Sequence, residues 1–271
     1  MERVLVKDLN NNVFSISGDL TSNSFLVDCE KVGNNIIVNI APRIHANILI
    51  INIKDNSDIK LDIKNQAVVD LSIFAKDQTK ELNITAELAN NAEIHTYLAD
   101  FINNENKTKV VINLNEEGAI CDWHLASLAS SSDKKEFDVS VFHKAINTYA
   151  RLDNYGVCKD SAKLTFSGIC KIENGAHGSK AHQNAKIMVF DEQSNGVAKP
   201  ILKIDENDIE ASHAAVVGKI NDDHLFYLTS RGLSEAEAKE LITLGYLNPI
   251  LNGFSDDNIK EEISNTIERR M

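Results

Sequence analysis

Short strand signals that repeat along most of the chain constrain its fold more than any other feature. From Val4 to about Val217 the apolar residues form runs of five or six, such as 35–40 (NIIVNI), 48–53 (ILIINI) and 109–114 (KVVINL). Runs of this length that are rich in Ile and Val predict β-strands. Clusters of Asn, Asp, Lys and Gly lie between them and predict turns.

The strand-and-turn units also recur at a nearly constant spacing. Similar turns align on Ala92, Ala119, Thr148 and Ala176, with steps of 27, 29 and 28 residues, and such steps are typical of a repeat architecture. A unit of this length cannot bury its apolar side alone, so neighbouring units must stack into a β-solenoid. We therefore predict a mainly β fold of the parallel β-helix type. The alternative is a β-sandwich, whose turns would recur about every 8–12 residues.

The C-terminal part of the sequence changes to a helical pattern. Asn221 and the acidic residues after it predict a helix N-terminus, and Gly232 predicts the end of that helix. Ser234 begins a capping box and a second helix, which we expect to end near Gly245. A third helix is predicted from Ser255 onward, with two arginines at its C-terminal end.

These patterns predict two domains, a β-helix core over residues 1–220 and a helical module over residues 221–271. No long amphipathic helix interrupts the strand-rich part, which argues against a doubly wound α/β fold with a nucleotide site. A module of about 50 residues forms only a marginal core of its own. We expect it to pack on the solenoid or on a partner.

The charge balance argues against two kinds of partner. Lys and Arg number 28 against 40 Asp and Glu, so the net charge is −12. Nucleic acids and anionic membrane surfaces both attract basic patches, and we expect this chain to bind neither. The first residues lack the apolar segment of a signal peptide, and no window approaches the 18 apolar residues of a membrane span. We therefore expect a cytoplasmic protein.

The four cysteines are scattered along the chain. They form no C-x-x-C pair, so neither a zinc ribbon nor a disulfide framework is expected. They are most simply small apolar residues of the core. Stacking of the repeats can still bring distant cysteines together, so the spacing leaves open whether any of them is a metal ligand. The four residues are Cys29, Cys121, Cys158 and Cys170.

The sequence lacks the local motifs of the common enzyme classes. It contains no G-x-x-x-x-G-K-[ST], G-x-G-x-x-G, H-E-x-x-H or G-x-S-x-G segment. A carbohydrate-active β-helix enzyme is one alternative function, but no carboxylate pair can be singled out for it. Aromatic platforms for a sugar are also scarce, since Trp123 is the single tryptophan. A purely structural, oligomerising solenoid is the other alternative.

Among the histidines, His213 has the strongest case for a functional role. It lies in the last strand-like segment between small residues, including Ser212, Ala214 and Ala215, which would leave its imidazole accessible to a facing surface. Residue chemistry alone favours a structural role over an interface or metal-ligand role. His124, near Cys121, is interpreted as a half-buried structural histidine.

The same segment resembles the SufB/SufD family of iron–sulfur cluster assembly scaffolds. The resemblance rests on 211–218 (ASHAAVVG), 222–228 (DDHLFYL) and 230–234 (SRGLS), which match the family pattern C-S-H-G-A-x-x-G, L-F-Y-L-x-S-R-G. Upstream, 199–204 (KPILKI) is similar to the family segment P-x-L-x-I. The resemblance implies a right-handed parallel β-helix, which agrees with the fold predicted from the repeated strand-and-turn units. We expect the chain to be a short member of the family that lacks the N-terminal helical region of longer members.

Two positions depart from the family pattern. Ala211 stands where members often have a cysteine, and Ala214 replaces the glycine after the histidine. The missing thiol makes the chain more SufD-like than SufB-like. We therefore expect no tightly bound cofactor, only a transient iron or iron–sulfur cluster.

The resemblance also implies a non-catalytic mechanism with two kinds of partner. The β-helix edge near His213 would pair with a SufB-like chain or a second copy, and His213 would become a ligand for iron or a nascent cluster. The helical tail would dock a SufC-like ABC-type ATPase, which hydrolyses the ATP. Aromatic residues and arginine are enriched at interfaces. The residues expected to dock the ATPase are Phe226, Tyr227, Arg231, Leu241 and Tyr246.

Overall fold

The computed structural model describes residues 4–5, 13–18, 23–76 and 79–271 of the chain. The expectation about a signal peptide concerns the first dozen residues, most of which lie outside these ranges. None of the helices in the described ranges is long and apolar enough to cross a membrane.

Within the described residues, seventeen β-strands precede the helices of the C-terminal part. The strands are β1 (Val4–Leu5), β2 (Val13–Ile16), β3 (Ser24–Asp28), β4 (Asn35–Ile40), β5 (His45–Ile51), β6 (Ser57–Ile63), β7 (Val68–Ala75), β8 (Glu81–Leu88), β9 (Glu93–Asp100), β10 (Glu105–Leu114), β11 (Ile120–Ala129), β12 (Lys134–His143), β13 (Tyr149–Cys158), β14 (Lys163–Ile172), β15 (Ser179–Val189), β16 (Asn195–Ile204) and β17 (Ile209–Lys219). The helices are α1 (Cys29–Val32), α2 (Asp222–Ser230), α3 (Glu235–Leu247), a 3₁₀ helix (Asn248–Gly253) and α4 (Asp257–Arg270).

The strands form two parallel sheets in strict alternation. Odd-numbered strands make one sheet in the order β1-β3-β5-β7-β9-β11-β13-β15-β17, and even-numbered strands make the other in the order β16-β14-β12-β10-β8-β6-β4-β2. We call them the odd-strand and even-strand sheets. Each coil of the chain therefore adds one strand to each sheet, which is the arrangement of a β-solenoid. The predicted mainly β fold with a short helical C-terminal part is confirmed, and the sandwich alternative is wrong, because the sheet pairings described are parallel rather than antiparallel.

The register confirms three of the four repeat anchors and corrects the fourth. Ala92, Ala119 and Thr148 follow one another in the ladder of the odd-strand sheet, at steps of 27 and 29 residues. The next position in that ladder is Ser179, 31 residues after Thr148, and not Ala176. Ala176 lies in the turn before β15, where its backbone N–H is bonded to Glu173. The coils lengthen along the chain, so an alignment at constant spacing fails at the longest coil.

Alternation of side chains along each strand builds the interior. In β14 every second residue is buried, beginning with Leu164 and ending with Ile172. Facing strands contribute matching apolar residues, and burial of each such side chain stabilises the fold by about 1.5–3 kcal/mol. Trp123 is fully buried here, and its indole N–H donates to Asn154 Oδ1 at 3.0 Å. The interior is thus mainly apolar with a few paired polar groups.

The predicted helix starts are confirmed. Asn221 caps α2 through its side chain, and Ser234 caps α3 in a capping box with Glu237. Gly232 follows α2 with a φ of 100°, the left-handed conformation that favours glycine after a helix. However, α3 does not end at Gly245. It continues to Leu247, and the chain then tightens into the 3₁₀ helix that contains Pro249.

The second half of the tail packs on the outer face of the odd-strand sheet. This packing forms a second apolar cluster, separate from the solenoid interior. Ile263 and Ile267 of α4 are fully buried in it. Gly253 lies against the ring of Tyr97 so closely that a Cβ atom would overlap the ring. Its fully buried members from the sheet and tail include Leu49, Phe74, Ala99, Phe101, Leu128, Val157, Leu247, Phe254, Ile263 and Ile267.

A buried ionic contact fastens the end of α4 to a corner of the solenoid. The Arg270 guanidinium pairs with Asp133, and it donates to the carbonyl oxygens of Phe101 at 2.6 Å and Ile102 at 2.7 Å. Burial lowers the pKa of Arg270, against the opposing effect of Asp133. Removing one partner of such a pair leaves the other charged group buried and unpaired. The boundary between the two predicted domains falls between β17 and α2, but their division into separate units stays a prediction.

Candidate functional site

The last coil of the solenoid is open on one side. β17 pairs with β15 and β16 pairs with β14, and both strands stand at the end of their sheet. We call β16 and β17 the terminal coil. Its side chains alternate as in the other coils, but no further coil covers them, so most residues of β17 are exposed. An edge strand presents unpaired backbone groups to other chains.

His213 lies in the middle of this open edge. In the parallel ladder it stacks on Gln183 of β15, which is buried with 6% of its surface exposed. Stacked residues of parallel strands point to the same face, so His213 is on the interior side of the terminal coil, at its open end. The His213 residue is exposed, and no hydrogen bond or ion pair to its imidazole is found within the described residues. The neighbouring Ser212 faces outward and bonds His182 Nδ1 at 2.8 Å.

His213 alone supplies one ligand and not a complete metal site. Within the ranges that the structure describes, no group of three or more His, Cys, Asp or Glu residues is placed to hold a metal ion. A metal or cluster at His213 therefore requires ligands from a second chain or from the metal's own inorganic partners. Ala211, two residues earlier on the same side of the strand, offers no donor atom.

The four cysteines are buried and free. Burial raises the pKa of Cys29 and Cys170 to about 12 and that of Cys158 to about 11. It also raises the pKa of Cys121, with the nearby Cys170 adding to the shift. Thiolates are the form that binds metals, so these thiols are poor ligands in the closed solenoid. The interpretation as small core residues agrees with their burial.

Large apolar side chains are exposed in one region of the described residues. Four lie on the terminal coil and three on α2 and α3. Phe226 is the most exposed, at 74%, and no residue of α2 is buried. Exposed large apolar side chains that cluster in one part of a protein mark interaction sites. The seven side chains are Ile201, Ile204, Val216, Val217, Phe226, Tyr227 and Leu241.

The residues predicted to dock an ATPase divide into two groups. Phe226, Tyr227 and Leu241 are free of the core, and the Arg231 guanidinium lies over the Tyr227 ring at 5.2 Å. Tyr246 is half-buried and packs edge-on against Tyr155 of the sheet, with ring centroids 5.5 Å apart. The structure therefore brings four of the five to the outer part of the tail and leaves Tyr246 against the solenoid. Their role in docking stays a prediction.

A polar band on the outer face of the odd-strand sheet was missed by sequence reasoning. His124 Nε2 lies 3.2 Å from Asp122, and Tyr97 stacks on the His124 ring at 4.7 Å. Burial by itself would raise the pKa of the Asp122 carboxyl. The hydrogen bond from His124 and the nearby positive charges outweigh that effect, so the pKa is lowered. Aligning the coils by their true register would have revealed the column, in which opposite charges stabilise neighbouring strands. That column is Asp70, His95, Asp122, Arg151, His182 and Ser212.

Comparison with known proteins identifies the family. A family model described as the SufBD core domain of SUF system FeS cluster assembly matches residues 18–246, from before the first full coils to α3. The chain belongs to the SufBD family. The resemblance of the histidine segment and the fold lead to the same assignment.

Similarity to individual SufBD proteins agrees with this family. The chain is 35% identical to the iron-sulfur cluster assembly protein SufD of Bacillus subtilis over 159 residues, which cover 59% of this chain and 36% of that protein. SufB of the same organism is 30% identical over 123 residues, 45% of this chain and 26% of SufB. A SufBD family protein of Staphylococcus saprophyticus is 29% identical over 133 residues, 49% of this chain and 29% of the relative. The matched region thus spans 26–36% of the length of these relatives, and the SufD match is longer than the SufB match.

Proposed function

We propose that this chain is a non-catalytic scaffold subunit of a Suf-type iron–sulfur cluster assembly complex. It pairs through the terminal coil of its solenoid and docks a SufC-like ABC-type ATPase through α2 and α3. The observation that carries the proposal is the placement of the seven exposed large apolar side chains, all of them on the terminal coil, α2 or α3. Elsewhere in the described solenoid the large apolar side chains are covered, so no second binding surface of this kind is indicated there.

The pairing surface is the open edge that contains His213. A SufB-like chain or a second copy would cover this edge and enclose the imidazole. The cluster or its iron is cargo and not a resident cofactor, because His213 is a single ligand and the remaining donors must come from elsewhere. Neutral imidazole is a suitable ligand for iron, and its exposure in the unpaired chain leaves it available.

The docking surface is formed by α2 and the exposed side of α3. Aromatic residues and arginine are the side chains most enriched where proteins bind tightly, and Phe226, Tyr227 and Arg231 stand together here. The chain has no nucleotide-binding motif, so ATP hydrolysis would belong to the partner. The four cysteines are buried and form no disulfide among the described residues, which agrees with a cytoplasmic complex.

Family membership favours this role over a carbohydrate-active enzyme. A glycosidase needs two carboxylates about 5–10 Å apart in a groove lined by aromatic residues. The single tryptophan, Trp123, is fully buried in the solenoid interior and is inaccessible to a sugar. The scaffold role needs no such groove.

Co-expression with a SufC-like ABC-type ATPase tests the docking. We expect a stable complex that is lost when Phe226→Ala and Tyr227→Ala are combined. Ile201→Ala on the terminal coil is the matched control, since Ile201 is also an exposed apolar residue and should leave ATPase binding unchanged. Failure of the unaltered chain to copurify with the ATPase would contradict the proposal.

His213→Ala tests the cluster role separately from assembly. The imidazole is exposed and makes no described contact, so the variant should fold and form the complex normally. We expect slower cluster maturation, measured by iron content and by the visible absorption of the transferred cluster. Maturation at the unaltered rate would reduce His213 to an interface residue.

A further inference from the structure

The two strands of the terminal coil present different open edges. In a parallel ladder the N–H and C=O groups of one residue point to the same neighbour, and successive residues alternate between neighbours. The N–H of Ile220 bonds Val189 at 3.2 Å, so even-numbered residues of β17 face β15. The odd-numbered residues, His213 among them, therefore direct their N–H and C=O groups to the open edge.

The same reasoning gives the opposite parity for β16. Asn195 N–H bonds Ala162 at 2.9 Å, and Asp205 N–H bonds Ile172 at 2.9 Å. Odd-numbered residues of β16 thus face β14, and even-numbered residues face the open edge. Pro200 is one of them and lies in the middle of the strand. Proline has no N–H, so a ladder built onto β16 is interrupted at its centre.

We propose that β17 is the strand onto which the partner builds its hydrogen-bonded ladder, and that Pro200 limits pairing on the β16 side. This inference rests on the proposed function and adds which edge binds. β17 offers an unbroken series of donors and acceptors from Ile209 to Lys219. Proline at an edge is a device that prevents unwanted strand pairing. Pro200 thus disfavours the addition of a strand from another chain to the even-strand sheet, while β17 of the odd-strand sheet stays open to pairing.

Charge indicates a partner other than a second copy. The turn between β16 and β17 and the residues beside it carry four carboxylates, and two-fold pairing would place this corner against the far end of the same coil in the other copy. That end also has an excess of acidic residues, and each chain has a net charge of −12. The partner that fits is therefore the terminal coil of a different β-helix chain with basic residues at its matching corner. The near corner carries Asp205, Glu206, Asp208 and Glu210, of which Asp205 lies 3.7 Å from Lys171 and Glu210 lies 3.0 Å from Lys180. Glu206 and Asp208 form no ion pair among the described residues. The far corner carries Asp191, Glu192, Asp222 and Asp223 against Lys219.

Proline substitutions on the two edges test the inference. Ala215→Pro removes an N–H that faces the open edge of β17 and leaves the bonds to β15 intact. Ala198→Pro is the matched control, because it removes an open-edge N–H from β16 in the same way. Binding of each variant to the purified SufB-like chain is measured by titration, with circular dichroism as the check on folding. If Ala215→Pro fails to fold, Ala211→Pro on the same edge replaces it.

We expect Ala215→Pro to weaken binding at least tenfold, from a lost ladder bond and a ring in the pairing plane, and Ala198→Pro to weaken it less than threefold. Equal losses would overturn the proposal that β17 carries the ladder. No binding by the unaltered chain would instead contradict the proposed function itself.

Pro200→Ala tests the limiting role directly. Restoring the N–H should raise self-association of the chain about fivefold in sedimentation experiments, since one more ladder bond becomes available. Unchanged self-association would overturn the role given to Pro200. A homodimer of the unaltered chain as tight as its complex with the SufB-like chain, at physiological salt, would overturn the choice of partner.

Discussion

The body of the solenoid and its terminal coil have the same kind of sequence and opposite surroundings. Ile172 in the body is 0% exposed, whereas Ile204, its ladder partner on the terminal coil, is 39% exposed. Both belong to strands of ten residues in the even-strand sheet. The difference arises only from position in the stack, because no further coil covers the last one. Inward-facing apolar residues of the strands therefore form the core in the body of the solenoid and an exposed surface on the terminal coil.

The tail repeats this contrast on a smaller scale. α4 buries Ile263 and Ile267 and ends in the buried pair of Arg270 with Asp133. α2 buries no residue and exposes Phe226. The tail is thus fastened to the solenoid at its far end, while its first helix is left for a partner.

The largest effect on stability is expected at the fastened end. Arg270→Ala leaves Asp133 buried without its partner, so the free energy of unfolding should fall by about 3–5 kcal/mol. Arg269→Ala is the control, since Arg269 is exposed and the change should cost less than about 0.5 kcal/mol. Chemical denaturation of the two variants measures both values. Similar losses for both variants would contradict the stabilising role given to the buried ion pair of Arg270 with Asp133.

Truncation of matching isoleucines compares the body with the terminal coil. Ile172→Ala creates a cavity in the interior and should lower the free energy of unfolding by about 2–5 kcal/mol. Ile204→Ala removes its partly exposed ladder partner and should lower it by less than about 1 kcal/mol. The same denaturation assay applies. A loss for Ile204→Ala as large as that for Ile172→Ala would show that the terminal coil is covered within the chain.

A buried histidine should give the body its own pH dependence. Burial lowers the pKa of His143 from 6.5 to about 4. The unfolded chain therefore takes up a proton as pH falls below 6.5, while the folded chain does so only near pH 4. Stability should accordingly be full above pH 6.5 and should decrease between pH 6.5 and 4, by at most about 3 kcal/mol from this residue. His143→Leu should flatten the pH dependence of unfolding in that window, and an unchanged slope would contradict it.

The smallest effect on stability is expected on α2. The pair of changes Phe226→Ala and Tyr227→Ala should alter the free energy of unfolding by less than about 0.5 kcal/mol, because neither side chain is buried. The same pair of changes should abolish ATPase binding in the copurification described above. Marked destabilisation would show that these residues serve intrachain packing.

The sequence predicted the fold because the fold depends on local, repeated signals. Strand runs and turn clusters identified the solenoid, and cap residues such as Asn221 and Ser234 identified the helix starts. Gly245 failed as a helix end, since a glycine outside the left-handed conformation does not stop a helix. Ala176 failed as an anchor because the coils lengthen, which only the backbone register reveals.

The site was predictable in part, and for a different reason. His213 was singled out by resemblance, since its neighbours in sequence do not show that it lies at an open edge. The pairing of Arg270 with Asp133 joins residues far apart in the chain, and no local pattern indicates it. The polar band on the odd-strand sheet also depends on register across many coils. Contacts of this kind follow from the stacking and not from any one segment.

Amide hydrogen exchange of the chain, free and bound to the SufB-like chain and the ATPase, tests the central claim most directly. The account predicts new protection at the odd-numbered residues of β17 and throughout α2, with exchange in the body unchanged. Protection confined to the body of the solenoid or to the outer face of the odd-strand sheet, with β17 and α2 exchanging as in the free chain, would contradict it.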